Sequence, residues 1–283
     1  MRTLARRRPA LGAQVRGAGD GEVAAVAELL SRAAFGPTVG RLIALPHASP
    51  HGDVLVADVG RASVGAVCTL SFGATGWIGA LGVEPRRRGR GIGMGLTDAA
   101  IARLRDRGAR TVLLFATDLG RPVYDRLGFV AEGAVTAWRG TAGVAEGALA
   151  VRPLREADRG RLAALDAAAT GERRERFLDH LRPLDGLAAE RDGELCGWSA
   201  RSPYGAGVAV CATDAEAGAA LLAAAARGPE PTTLVVPAAN AAATRALADW
   251  GFRPTAAGER MRLGPAVDWH PERQFALFNL FWG

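Results

Sequence analysis

The chain lacks lysine altogether: all 35 of its basic residues are arginines, and its formal net charge is +6. This absence excludes a Walker-type phosphate loop, because that loop needs a lysine to reach the nucleotide phosphates. Arginine without lysine, together with abundant alanine and glycine, is typical of a GC-rich genome. The moderate positive charge favours anionic ligands such as nucleotides and phosphates.

Cysteines and long apolar runs are also scarce. The three cysteines, Cys68, Cys196 and Cys211, form no Cys-x-x-Cys pair, which predicts reduced thiols in a cytoplasmic protein. No run of about 18 apolar residues occurs, so the sequence predicts neither a membrane-spanning helix nor a membrane partner. Residues 1–12 carry arginines without an apolar run behind them, which predicts a basic tail rather than a secretory signal.

The sequence repeats itself at low fidelity. Val15-Arg16 and Val151-Arg152 each begin an extended segment followed by a helical one, and the halves close on Gly128-Phe129 and Gly251-Phe252. Each half has the order hairpin, strand, helix, strand, helix, strand. This order predicts a mixed α/β fold (an α+β mixed sheet) of two tandem domains, each a central, mostly antiparallel sheet flanked by helices. The predicted domains are residues 13–140 and 149–283, joined by a Gly/Ala-rich linker at 141–148.

A glycine-rich segment joins a predicted strand to a predicted helix in the first half. It runs from Val83 to Gly95 and has four glycines in its last seven residues, with Arg86, Arg87, Arg88 and Arg90 beside them. Glycines let the backbone approach a ligand closely, and a helix start directs free N–H groups at an anion. The segment therefore predicts a pyrophosphate site. A dinucleotide fingerprint fits poorly, because three strands precede the loop.

This segment resembles a known motif. Arg88-x-x-Gly91-x-Gly93, after a strand that ends in Val83-x-Pro85, is similar to the acetyl-CoA motif of the GNAT superfamily of N-acetyltransferases. The resemblance continues to Tyr124-Asp125-Arg126-Leu127-Gly128-Phe129 and covers roughly residues 14–139. The two halves together resemble the subgroup with a degenerate C-terminal acetyltransferase-like domain. The resemblance implies acetyl-CoA or another acyl-CoA as donor and no metal.

The resemblance also implies roles for individual residues. The loop amides would hold the coenzyme A pyrophosphate, and the strand from Leu81 to Val83 would pair with the pantetheine arm. Tyr124 would protonate the departing thiolate as a general acid, although a tyrosine that merely packs beside the cofactor is the alternative. The residues expected to bind the cofactor are Leu81, Val83, Arg88, Gly89, Arg90, Gly91, Gly93 and Met94.

No general base stands out. The strand from Gly76 to Val83 has no carboxylate; Glu84 could equally be a surface ion pair and Asp118 a helix cap. His47 and His51 are expected in a proline-broken loop, which argues against a metal pair. Proton loss through water stays open.

The second half lacks the corresponding machinery. Asp214 and Glu216 stand where a pyrophosphate would lie, and Leu247 replaces the tyrosine. We expect this half to be structural. The apolar segment Phe275–Gly283 is expected to dock on its own domain, with covering the active site or pairing with a second subunit as alternatives.

The sequence thus predicts an acyl-CoA-dependent N-acyltransferase that acts on a small-molecule amine, as a monomer or homodimer. One alternative is a donor carried on an acyl carrier protein, since such proteins are acidic and the arginine run could dock one. Another is a non-catalytic acyl-CoA sensor. Nucleic-acid binding is disfavoured, because no aromatic residues lie among the arginines.

Overall fold

The computed structural model describes residues 12–141, 149–181, 184–204 and 207–283. Almost all of the predicted N-terminal tail and the predicted linker lie outside these residues. The described chain forms two compact units. The N-terminal unit runs up to Ser71 and includes Trp77–Arg107, and the C-terminal unit comprises Phe72–Gly76 and Gly108–Gly283.

The N-terminal unit is a sheet in the order β1-β2-β3-β4 with three helices. Every residue of β3 from Val64 onward is buried, because helices α1 and α3 both pack on this strand. Leu30, Ile43, Leu96 and Leu104 are fully buried in the unit's core. Its elements are β1 (Ala13–Gly17), α1 (Val23–Leu30), α2 (Val39–Ala48), β2 (Gly52–Val59), β3 (Ala62–Ser71), β4 (Thr75–Val83) and α3 (Ile92–Asp106).

The C-terminal unit contains two groups of strands, in the orders β5-β12-β6-β11 and β13-β10-β9-β8-β7. Helices α7 and α8 pack with β10 and β11 around a core that includes Leu221, Leu247 and Phe252. Its elements are β5 (Thr111–Ala116), α4 (Arg121–Arg126), β6 (Val130–Gly140), β7 (Val151–Pro153), α5 (Arg159–Thr170), α6 (Glu175–Leu178), β8 (Gly186–Arg191), β9 (Glu194–Arg201), β10 (Val208–Ala212), α7 (Ala215–Ala226), β11 (Thr232–Pro237), α8 (Ala241–Asp249), β12 (Arg253–Leu263) and β13 (Gln274–Ala276).

The two halves of the sequence exchange strands within the C-terminal unit. Strand β12 of the second half lies between β5 and β6 of the first, and β6 lies between β12 and β11. Each of these two strands follows one of the Gly-Phe pairs. The register pairs Arg139 with Arg253 and Val130 with Arg262, so equivalent positions of the two strands face each other reciprocally. The predicted domain boundary at residue 140 stays a prediction about the sequence repeat. The compact units instead change over between Arg107 and Gly108.

The predicted fold class is confirmed: both units are sheets flanked by helices, and every strand pair for which the register is given is antiparallel. One local prediction is wrong. His47 lies in the last turn of helix α2, which contains Pro46, and not in an irregular loop. Among the described residues, no helix has both the length and the apolar character needed to cross a membrane.

Candidate functional site

The end of β4 presents two half-buried side chains, Leu81 and Val83, which are both predicted to contact the donor. Gly82 between them points into the core, where an added Cβ would come within 2.7 Å of Leu30 Cδ2. Just before them, Ala80 has a φ of +52°, a left-handed conformation that costs a non-glycine residue about 1 kcal/mol or more. The regular pleat is therefore interrupted beside the two predicted contact residues, as at many functional strand positions.

The side chain of Arg88 holds the end of β4 in place. Its Nε donates to the carbonyl of Val83 at 3.1 Å, and its guanidinium also bonds the carbonyl of Ala33. This arginine thus fixes the loop to the segment after α1. Direct contact between Arg88 and a cofactor stays a prediction.

Two glycines give the loop its shape. Gly89 and Gly91 have φ values of +72° and +79°, and Gly91 is the N-cap residue directly before α3. Only glycine adopts such angles without strain. A Cβ on Gly89 would meet no heavy atom of the described residues within 4 Å, so conformation rather than crowding requires this glycine.

The first turn of α3 leaves backbone donors free. Gly95 donates to the carbonyl of Gly91 at 3.0 Å, and the N–H groups of Ile92, Gly93 and Met94 before it have no carbonyl partner within the helix. The turn carries no acidic residue. Because a Cβ on Gly93 would lie 3.8 Å from Val83 Cγ2, the helix start adjoins the strand end.

These features fit a pyrophosphate. Free N–H groups, the positive end of the helix dipole and exposed Arg86 and Arg90 all favour a doubly charged anion. All eight predicted cofactor residues lie on this strand end, loop and helix start, and the Arg88 side chain donates to the carbonyls of Val83 and Ala33. Sequence reasoning missed Ala80, since nothing in an alanine signals a left-handed angle.

Tyr124 belongs to the C-terminal unit, on α4. Its ring is buried and lies edge-on to Phe129, with 5.7 Å between the ring centroids. A Cβ on Gly120 would lie 3.0 Å from Tyr124 Cε2, so this glycine makes room for the ring. Among the described residues, no hydrogen-bond partner of the Tyr124 hydroxyl is found. Burial raises the pKa of Tyr124 above its ordinary value, so the phenol keeps its proton at neutral pH.

The residues considered as bases are scattered. Asp118 is exposed, and the side chain that approaches the start of α4 is that of Thr117, whose hydroxyl accepts from Gly120 N–H at 3.4 Å. Asp118 is therefore not the cap that was one reading of it. His47 Nε2 lies 3.9 Å from Asp20. Within the described part of the chain, no group of three or more His, Cys, Asp or Glu could hold a metal ion.

A carboxylate occupies the equivalent helix start in the second half. Asp214 caps α7 by accepting from Ala217 N–H at 3.0 Å, and Arg191 pairs with both Asp214 and Glu216 at 2.8 Å. The hydrogen bond from Arg191 lowers the pKa of Asp214 to about 2. The start of α7 therefore carries negative charge of its own, which the start of α3 lacks.

Family sequence models identify both halves of the repeat. The model of an acetyltransferase (GNAT) domain matches residues 50–131, and a second model with the same description matches residues 162–276. The chain belongs to the GNAT acetyltransferase superfamily. It carries two such domains in tandem, as predicted. No curated protein sequence matches it.

Solved structures share the fold at low sequence identity. A putative acetyltransferase from Pyrococcus horikoshii is 18% identical with a TM-score of 0.82, and the match covers 100% of both chains. A tandem GNAT protein from the clavulanic acid biosynthesis pathway is 17% identical with a TM-score of 0.61, over 90% of this chain and 99% of that one. The GNAT-related glucosamine N-acetyltransferase region of a fungal multi-domain β-N-acetylglucosaminidase is 16% identical with a TM-score of 0.70, over 90% of this chain and 38% of that one. At these identities the likeness shows the fold alone.

Proposed function

We propose that this GNAT protein transfers an acyl group, most simply acetyl, from coenzyme A to the amine of a small molecule. The observation that carries the proposal is the start of α3, where left-handed Gly91 precedes a turn with free N–H groups and no acidic residue. Leu81, Val83, Gly89, Arg90, Gly91, Gly93 and Met94 would contact the donor, and Arg88 would position the loop.

The reaction joins the amine nitrogen to the acyl carbonyl carbon and breaks the carbon–sulfur bond. The departing thiolate takes the proton of Tyr124, whose phenolate then regains a proton from solvent. The ammonium formed on the acceptor loses its proton to water, and no base is assigned. The neutral, buried phenol suits this role, because a general acid must hold its proton until the thiolate forms.

The acceptor class is inferred from relatives in fold. A relative in fold is described as a glucosamine N-acetyltransferase region, and another belongs to a biosynthetic pathway. Both descriptions fit a small amine. An amine panel of amino sugars, polyamines and amino acids, with thiol release from acetyl-CoA as the readout, tests the activity directly. Binding of acetyl-CoA without turnover on any amine would favour the sensor alternative.

A carrier-protein donor is the second candidate, because Arg86 and Arg90 are exposed and could dock an acidic protein. The same amine panel with acetyl-loaded carrier protein separates the two donors. Turnover with the loaded carrier alone would replace coenzyme A in the proposal.

A matched pair of glycine substitutions tests the loop. Gly91 and Gly108 flank α3 with φ values of +79° and +92°, so alanine at either position costs roughly 1–2 kcal/mol of stability. We expect Gly91→Ala to weaken acetyl-CoA binding at least tenfold by calorimetry, and Gly108→Ala to leave it unchanged. Equal affinities in the two variants would remove the loop from the donor site.

A further inference from the structure

Among the described residues, the second half contains a strand, β13, that has no counterpart in the first half. Strand β13 pairs antiparallel with β10, with Val210 opposite Ala276 and Cys211 opposite Gln274. The chain then continues to β11, where Leu277 N–H donates to the carbonyl of Val235 at 2.8 Å. The segment Gln274–Phe278 thus joins β10 to β11 and is buried over its whole length.

These two strands are the equivalents of β4 and β5. Strand β10 precedes α7 as β4 precedes α3, and β11 precedes α8 as β5 precedes α4. In the first half, the strand before the helix is the one expected to pair with the pantetheine arm of the donor. In the second half, a stretch of the chain itself makes that pairing.

At the start of α7, too, atoms of the chain itself occupy the place that the start of α3 leaves open. Gly95 and Gly218 are each the fourth residue of their helix. A Cβ on Gly95 would meet no heavy atom of the described residues within 4 Å, whereas a Cβ on Gly218 would lie 2.2 Å from Phe275 Cζ. The Phe275 ring therefore fills the space above the first turn of α7, and the Asp214 carboxylate supplies the anion at its start.

Further contacts fix the segment on both sides. The Asn240 side chain at the start of α8 donates to the carbonyls of Glu272 and Gln274 at 3.0 and 3.1 Å. A Cβ on Gly207, just before β10, would lie 1.6 Å from the carbonyl oxygen of Phe278, so the backbones touch there. Side-chain hydrogen bonds and direct backbone contact therefore hold the segment in place.

We propose that Gln274–Phe278 is an internal ligand: in the second half it occupies the place beside β10 and the start of α7 that corresponds to the proposed donor site beside β4 and the start of α3. The consequence is one acyl-CoA site per chain, in the first half. The site count rests on the proposed function, whereas the occupation of this place can be tested without it.

Hydrogen exchange read by mass spectrometry tests the occupation. We expect the amides of β10 and of residues 274–278 to be protected in the free protein and unchanged by acetyl-CoA, and those of the loop from Arg88 to Gly95 to gain protection. Gly218→Ala should speed exchange in 274–278 at least tenfold, because its Cβ displaces Phe275. The matched Gly95→Ala should leave that exchange unchanged.

Calorimetry then counts the sites, and we expect one equivalent of acetyl-CoA per chain, bound at least tenfold more weakly in Gly91→Ala. A second equivalent that survives Gly91→Ala and deprotects 274–278 would overturn the internal ligand. Unprotected amides at 274–278 in the free protein would overturn it as well. An absence of all acetyl-CoA binding, with those amides still protected as expected, would instead contradict the proposed function and leave the internal ligand standing.

Discussion

Tyr124 combines a buried ring with a hydroxyl that has no hydrogen-bond partner among the described residues, and its role can be tested in one substitution. Tyr124→Phe removes the proton that the thiolate would take, so we expect turnover to fall on the order of 100-fold. Acetyl-CoA affinity and thermal stability should change little, because the hydroxyl has no partner among the described residues. Steady-state thiol release and calorimetry measure the two effects.

The chain provides its own control for this prediction. It has two tyrosines, and Tyr204 packs against His180 at 6.3 Å between centroids, away from α4 in the sequence. Tyr204→Phe should keep the wild-type rate. Turnover at the wild-type rate in Tyr124→Phe would assign the thiolate proton to solvent.

A second residue-scale feature is an ion pair inside the C-terminal unit. Arg174 Nη2 and Nε donate to the two Asp166 carboxylate oxygens at 2.6 and 2.9 Å, and both side chains are 1% exposed. Asp166→Ala removes the carboxylate that binds a buried guanidinium through both of its oxygens, and such losses cost roughly 3–5 kcal/mol. We expect a matching decrease in the free energy of unfolding in urea.

The exposed pair of Arg32 and Glu28, at 57% and 72% exposure, is the matched control. Exposed pairs contribute at most about 1 kcal/mol, so Glu28→Ala should change the unfolding midpoint little. Similar losses in the two variants would mean that water reaches Asp166.

At the scale of elements, the equivalent helices α3 and α7 begin with different N-cap residues. Asp214 caps the helix where Gly91 leaves α3 open. Asp214→Ala should lower stability by about 1 kcal/mol, the usual value of a lost cap. Asp214→Asn keeps an oxygen that can accept from Ala217 N–H and should cost less.

The same residue has a predictable pH dependence. The folded pKa of Asp214 is about 2, below the ordinary value of about 3.9. The folded state therefore binds this proton less tightly than the unfolded state. Its contribution is fully present above about pH 4 to 5 and is lost as pH falls toward 2. Urea unfolding between pH 2 and 6 should show this component in the wild type, whereas an identical acid dependence in Asp214→Asn would exclude it.

Elements with local signals were predictable from the sequence. The sequence pattern predicts strands over Gly52–Val59 and Thr111–Ala116 and a helix over residues 91–107. Strands β2 and β5 have these bounds, and α3 agrees within one residue at each end. Glycines with positive φ delimit α3, and the Gly60 turn, at a φ of +64°, ends β2. Helix α2 was not predicted, because Pro46 resembles a breaker although it lies inside the helix.

The parts of the site that depend on distant residues could not be predicted. The glycine loop and Tyr124 carry motifs, but the carbonyls bound by Arg88 include that of Ala33, which is 55 positions away. Asp166 is buried in an ion pair with Arg174, and the spacing of apolar residues in α5 does not predict that burial. The apolar segment Phe275–Gly283 was expected to dock on its own domain. The burial of Phe275–Phe278 and the pairing of Ala276 with Val210 bear this out, but the place beside β10 required the fold.

At the scale of the whole molecule, the exchanged strands make the two halves of the sequence interdependent. Strand β12 pairs with β5 on one side and with β6 on the other, and β6 also pairs with β11. Removing the second half would leave the edges of β5 and β6 without their partners, and unpaired strand edges promote aggregation.

We therefore expect residues 1–140, expressed alone, to be insoluble or to lack protected amides in β5 and β6. Co-expression with residues 149–283 should restore a soluble complex, because each fragment supplies the strand that the other needs. Copurification through a tag on one fragment and hydrogen exchange of β6 are the measurements. A soluble, monomeric fragment 1–140 with protected β5 and β6 amides would show that the first half closes its own sheet. The strand exchange would then stabilise the whole chain without being required for the first half to fold.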